Sequence, residues 1–257
     1  CHGNLKSSVQ INFLVDFEWL LMSYEATGNQ VSKQIYLNLL FFLQQAVNFA
    51  FLEHSIAHSS GEDNPSLKDV GRDNVKTLRI RSPYPFGTHH TKLMILVYDD
   101  DSVRVVVSTA NLVPSDWENR TQAMWVSPKC ENNPINPSDS ETGFKASLIR
   151  YLKSYQVRSL SHNPYSISII SSSSIFFSPK VSQLHNYIST ISNANFSRVN
   201  AFFVSSSPGS HEGSALCQYG HMAAASIIRK HSKPCTWPLV MQCSSIGSLG
   251  MLVFQLF

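Results

Sequence analysis

Five cysteines, at positions 1, 130, 217, 235 and 243, form neither a Cys-x-x-Cys pair nor an even disulfide framework. Their spacing sets zinc aside and points to reduced thiols in an intracellular setting. A cleavable signal peptide is also missing: the first ten residues are polar and contain no hydrophobic core, so secretion is not expected. Without secretion, the glycosylation patterns Asn119-Arg120-Thr121 and Asn195-Phe196-Ser197 carry no meaning. No charge interrupts residues 34–52, a run that barely reaches membrane-spanning length. Gln34, Asn38, Gln45 and Asn48 draw a polar stripe along it, so a buried helix is expected and no membrane association. The net charge of +3 is too small to speak for any partner.

Chemistry is concentrated in Phe86-Gly87-Thr88-His89-His90-Thr91-Lys92 and in Ser108-Thr109-Ala110-Asn111-Leu112. Leu93 to Val97 is a short apolar run, Asp99-Asp100-Asp101-Ser102 is turn-forming, and Val103 to Val107 is β-branched again. That pattern predicts a hairpin with a buried face. Side chains alternate along a strand, which places His90 and Lys92 on one face and turns Thr91 to the other. With His90 beginning the first strand and Asn111 just past the second, an imidazole, an ammonium and a carboxamide meet at the hairpin's mouth. A neutral imidazole attacks phosphorus to give a phosphohistidine, and an adjacent lysine offsets charge on the non-bridging oxygens. The three groups suit a phosphodiester and call for no metal or other cofactor. Further on, Ser115-Asp116-Trp117-Glu118 has capping-box spacing and Thr121 to Val126 reads as another strand.

Distribution of charge says more than its sum. From Val75 to Lys92 the chain carries Lys76, Arg79, Arg81, His89, His90 and Lys92 with no acidic residue, and Tyr84 and Phe86 lie among them. Cations interleaved with rings suit single-stranded DNA, the cations neutralising phosphates and the rings stacking on bases. Asp99-Asp100-Asp101 is read as an exposed turn, since three adjacent carboxylates do not easily face one ion. The serine-rich stretch 159–180 is read as a loop or insertion. A chain of 257 residues with 43% hydrophobic content is sufficient for one sizeable α/β core.

Taken together, Phe86 to Lys92, Ser108 to Leu112, Asp116-Trp117 and Thr121-Gln122-Ala123-Met124-Trp125 resemble the first catalytic half of the tyrosyl-DNA phosphodiesterases, which belong to the phospholipase D superfamily. The likeness is dense over residues 83 to 128. Val15 to Leu20 echo it upstream, and Tyr219-Gly220-His221 and Gln242 to Gly250 downstream, in family order. The resemblance implies a phospholipase D-like α/β/α sandwich with a central mixed sheet and the active site at one edge of it. It implies His90 as nucleophile, Lys92 and Asn111 holding phosphate oxygens, and Gln122 supporting them. Phe86 would stack on a DNA base, and Ser244, Ser245 and Ser248 would hydrogen-bond the DNA backbone. The implied activity is nuclear DNA repair: hydrolysis of the 3′-phosphotyrosyl link that a trapped topoisomerase leaves on single- or double-stranded DNA ends.

Members of that family build one active site from two similar halves, each with a His-x-Lys and an asparagine. Here residues 1–250 resemble the first half, 29–80 and 159–180 match it poorly, and 251–257 diverge. A second His-x-Lys occurs at His231-Ser232-Lys233, but no asparagine follows Asn200. It is read as a surface coincidence in the basic tail of a helix, where Arg229, Lys230 and His231 suit the C-terminal dipole. The expectation is therefore that the second half, with its acid–base histidine, is absent and that both ends are cut or alternatively spliced. Two readings stand open. One is an enzyme completed by further chain or by a homodimer; the other is a catalytically impaired fragment that binds single-stranded DNA.

Overall fold

The computed structural model describes residues 5–26, 53–58, 75–79, 89–157, 182–207 and 211–233. Its elements are β1 (Leu5–Asn12), α1 (Phe17–Ala26), β2 (Glu53–His58), β3 (Val75–Arg79), β4 (Lys92–Tyr98), β5 (Val103–Ser108), α2 (Pro114–Glu118), β6 (Met124–Val126), α3 (Phe144–Val157), α4 (Ser182–Asn193), a 3-10 helix (Gly213–Gln218) and α5 (Gly220–His231). The expected hairpin is β4 and β5, paired antiparallel with Ile95 opposite Val105. At the turn, Asp101 takes a positive φ of 55°, a conformation aspartate tolerates better than most side chains. Asp101 accepts from Lys6 Nζ at 2.6 Å, and Asp100 accepts from Lys129 Nζ at 2.5 Å and from Ser102. Those donors hold the Asp100 carboxyl down at about 2, so the acidic turn is occupied by its own lysines and serine.

Six strands form one mixed sheet in the order β3-β2-β1-β4-β5-β6. β1, β2 and β3 run parallel, while β4 is antiparallel to β1 and to β5. Alternation then sorts the side chains into two cores. On one face Val9, Ile11, Leu93, Ile95, Val103 and Val105 meet α3 and α4, which present Phe144, Leu148, Tyr151 and Leu152 and Leu184, Tyr187, Ile188 and Ile191 at helical spacing. On the other, Met94, Leu96, Tyr98 and Val106 meet Phe17, Trp19, Leu20 and Leu21 of α1. Both faces are covered, which is the expected α/β/α layering. Every side chain of β4 is buried, as a central strand in such a sandwich requires.

Local signals explain the helix starts. Asp16 caps α1, accepting from Trp19 N at 3.0 Å, and Asp139 accepts from Lys145 N and Ala146 N at 2.8 and 2.9 Å at the start of α3. The Ser115–Glu118 capping box does not form. Val113 is the N-cap of α2 and makes no side-chain cap; Pro114 takes the first helical position, where its fixed φ fits and its missing N–H is not needed. The strand expected over 121–126 is confined to Met124–Val126, because the residues before it turn back towards Thr109. α5 ends on Arg229, Lys230 and His231 as expected, with His231 exposed. Among the described residues Cys130 and Cys217 are free thiols, and no helix is long and apolar enough to cross a membrane. The uncharged run 34–52 and the serine-rich stretch 159–180 lie outside the described residues.

Phe144 joins α3 to the sheet, stacking on Phe196 and meeting Trp125 at a tilt. Phe144→Ala is expected to cost about 3–5 kcal/mol, whereas Lys6→Ala, which breaks an exposed ion pair, costs less than about 1 kcal/mol. Urea unfolding of the two variants measures the contrast.

Candidate active site

Lys92 opens β4, and Asn12, the last residue of β1, pairs with it in register. The strand begins at Lys92 rather than at His90, which leaves His90 exposed in the segment before it. The site thus lies at the end of a central strand and not at a lateral edge of the sheet. Even so, alternation carries through 89–92. Lys92 Nζ stands 3.1 Å from His90 Nδ1, 3.4 Å from Nε2 and 3.3 Å from the His90 carbonyl oxygen. Thr91 points the opposite way and hydrogen-bonds the Tyr151 hydroxyl on α3. His89, also on that side, bonds the Tyr155 hydroxyl at 2.8 Å.

Phe13 seats both functional groups. Its ring centroid is 4.7 Å from that of His90 and 5.5 Å from Lys92 Nζ, a cation–π distance. Although His90 is exposed overall, water lost from the side against its neighbours, and then the Lys92 charge, hold its pKa below the ordinary value. Both causes favour the neutral imidazole, the state a nucleophile requires. Burial likewise lowers the pKa of Lys92, which is only 9% exposed, and the Asp116 carboxylate opposes that shift.

The segment after β5 brings in the third group. Leu112 N donates to Leu14 O at 3.0 Å and Asp16 N to Leu112 O at 2.8 Å, and Val15 and Leu112 form a parallel bridge. Asn111 is thereby held beside the end of β1. Its backbone N and its Nδ2 both donate to Asp116 Oδ2, at 2.8 and 3.0 Å, and its carbonyl accepts from Trp117 Nε1 at 2.7 Å. Asn111 Oδ1 is buried with no hydrogen-bond partner among the described residues. Gln122 lies close by, its Oε1 accepting from Thr109 Oγ1 at 2.6 Å.

His90 and Lys92 are thus in direct contact, Asn111 is bonded to Asp116, whose carboxylate acts on Lys92 through its charge, and Gln122 is tied to the segment that carries Asn111. Phe86, Ser244, Ser245 and Ser248 lie outside the described residues. Two participants escaped sequence reasoning. Phe13 has no motif of its own. Asp116 appeared only within the capping-box stretch and the Asp-Trp pair, although its place five residues after Asn111, at the start of a short helix, was the available signal.

The architecture is that of a phospholipase D-like fold, and it aligns with the crystal structure of yeast tyrosyl-DNA phosphodiesterase with a TM-score of 0.57 at 19% identity, over 90% of this chain and 44% of that one. The family model described as Tyrosyl-DNA phosphodiesterase matches residues 1–255, and the chain belongs to that family. It is 38% identical over 258 residues to tyrosyl-DNA phosphodiesterase 1 of Drosophila melanogaster, covering 96% of this chain and 37% of the fly protein. It is 28% identical to the probable tyrosyl-DNA phosphodiesterase of Caenorhabditis elegans, covering 95% of this chain and 45% of the nematode protein. The chain therefore spans less than half the length of either relative.

Titration checks the electrostatics of the pair. In Lys92→Met the His90 midpoint is expected to rise only part of the way to its usual value, because burial outweighs the lysine as the cause of the shift. Histidine Cε1 chemical shifts followed against pH measure it.

Proposed function

We propose that this chain supplies one nucleophilic half-site of a DNA repair phosphodiesterase that hydrolyses 3′-phosphotyrosyl links on DNA. The observation that carries the reading is the contact between Lys92 Nζ and the His90 ring at 3.1 Å, beside which the His90 pKa is lowered. A ring nitrogen of His90 attacks phosphorus as the P–O bond to the tyrosine breaks, leaving phosphohistidine and a phenolate. Lys92, and Asn111 through Nδ2, hold the non-bridging oxygens while charge gathers on them. Water then attacks phosphorus, the P–N bond breaks, and a 3′-phosphate and a neutral imidazole remain.

The proton for the phenolate and the base for the water come from a second His-x-Lys set outside this arrangement, on further chain or on a second copy in a homodimer. His231-Ser232-Lys233 is not proposed for that role, since it lies at the exposed end of α5. The stretch leading into His90, with Lys76, Arg79, Arg81, Tyr84 and Phe86 and no acidic residue, supports DNA as the substrate; membership of the tyrosyl-DNA phosphodiesterase family supports single- or double-stranded 3′ ends carrying a topoisomerase-derived peptide, and with them a nuclear location. Phe86 stacking on a base and Ser244, Ser245 and Ser248 on the backbone complete the proposed DNA contacts, and Gln122 supports Asn111 through Thr109.

A single-turnover reaction of the chain with a 3′-phosphotyrosyl oligonucleotide in EDTA tests the proposal. Wild type is expected to release tyrosine or trap a DNA adduct, about 10²–10⁴-fold more slowly than a site with its acid in place, and His90→Ala to do neither. Binding by both proteins with no reaction from either would contradict catalysis and leave a single-stranded DNA-binding fragment.

A further inference from the structure

Asp116 is the most buried carboxylate at the site, at 2% exposure. Its Oδ2 accepts both donors of Asn111, and its Oδ1 accepts from Arg120 Nη1 at 2.8 Å. We propose that Asp116 is a positioning residue: it fixes which end of the Asn111 carboxamide faces a bound phosphate. The proposal rests on the reading of His90, Lys92 and Asn111 as a phosphodiester site.

A carboxamide has two orientations of nearly equal shape, and only the one that presents N–H holds an anionic oxygen. An ionised carboxylate accepts and never donates, so Asp116 bonds the nitrogen end alone. The reversed amide would set Oδ1 against Oδ2 at the distance now spanned by a hydrogen bond. Nδ2 carries two hydrogens; one is used on Asp116, and the other remains for phosphate. The unpartnered Oδ1 fits the same view, because a side chain oriented for its own hydrogen bonding alone would not leave that atom empty.

Charge adds a second link. Among the described residues, the titratable groups that act on Lys92 are His90, two residues before it, and Asp116 on α2. An imidazole supplies no negative charge in either protonation state, and Asp116 opposes the burial that favours the uncharged amine. Arg120, whose side chain is 63% exposed, neutralises the outer oxygen of Asp116. Removing Arg120 should strengthen the field of Asp116 at Lys92, and removing the charge of Asp116 should abolish it.

NMR of the chain without substrate reads both effects. In Asp116→Asn the Lys92 Nζ titration midpoint is expected to fall, and the Asn111 Nδ2 protons to lose their hydrogen-bonded shift and slow exchange. Arg120→Gln, a surface change that spares the fold, is expected to move the Lys92 midpoint up, and Asp116→Glu to retain the wild-type direction. Unchanged Asn111 Nδ2 shifts and exchange in Asp116→Asn would overturn the inference. A second arm measures binding of an oligonucleotide ending in a 3′-phosphate. Asn111→Ala and Asp116→Asn are each expected to weaken it about ten- to a hundredfold, with little further loss when combined. Loss in Asn111→Ala with full binding in Asp116→Asn would also overturn it. If wild type itself fails to bind, the phosphodiester reading falls, and the Asn111 Nδ2 signals still decide the role of Asp116.

Discussion

Asn12 is buried at the end of β1, and its side chain joins the two segments that leave the sheet there. Nδ2 donates to Ala110 O at 3.4 Å, and Oδ1 accepts from Leu14 N at 3.3 Å. Beyond it, residues 14 to 16 and Leu112 exchange backbone hydrogen bonds. Because Asn12 also stands opposite Lys92 in the ladder, three pieces of chain far apart in sequence end at one place. Phe13 arrives with the first, His90 and Lys92 with the second, Asn111 with the third. The two hydrophobic cores hold the strands that aim these ends, and the crossing decides where the ends meet.

A lysine 9% exposed with no carboxylate among the described residues in hydrogen-bond contact is a costly arrangement. The fold offsets the cost with a ring face, an imidazole nitrogen and a carboxylate acting from a neighbouring helix. Each is weaker than a direct ion pair, so the ammonium retains capacity for an anion. The same economy shows at Asn111, which spends one amide hydrogen on Asp116 and keeps the other. Groups left incompletely satisfied at one end of a well-packed sheet are what a binding site for a charged ligand requires. Behind them, Thr91, Tyr151, Tyr155 and His89 form a hydrogen-bonded chain on the opposite face that braces the short stretch carrying His90 against α3.

How much of this was legible depends on range in sequence. The β4–β5 hairpin, the acidic turn, the facing of His90 and Lys92 and the basic end of α5 follow from local pattern, and local pattern predicted them. β1 gave no such signal: Ser8, Gln10 and Asn12 alternate with Val9 and Ile11 as on a half-exposed strand, yet all of them are buried. The capping box misled because Pro114 competes for the same turn and wins by its fixed φ. Asp116 and Phe13 became visible only once chain crossings brought them to the site. The family likeness conveyed the layered fold and its mixed sheet, which periodicity alone did not order.

The most direct measurement is peptide mapping by mass spectrometry of the covalent adduct trapped from a 3′-phosphotyrosyl oligonucleotide. The geometry of the Lys92–His90 contact predicts the phosphodiester mass on His90 within the peptide that contains Lys92. The same mass on His89 or His231, or an adduct that persists in His90→Ala, would contradict it.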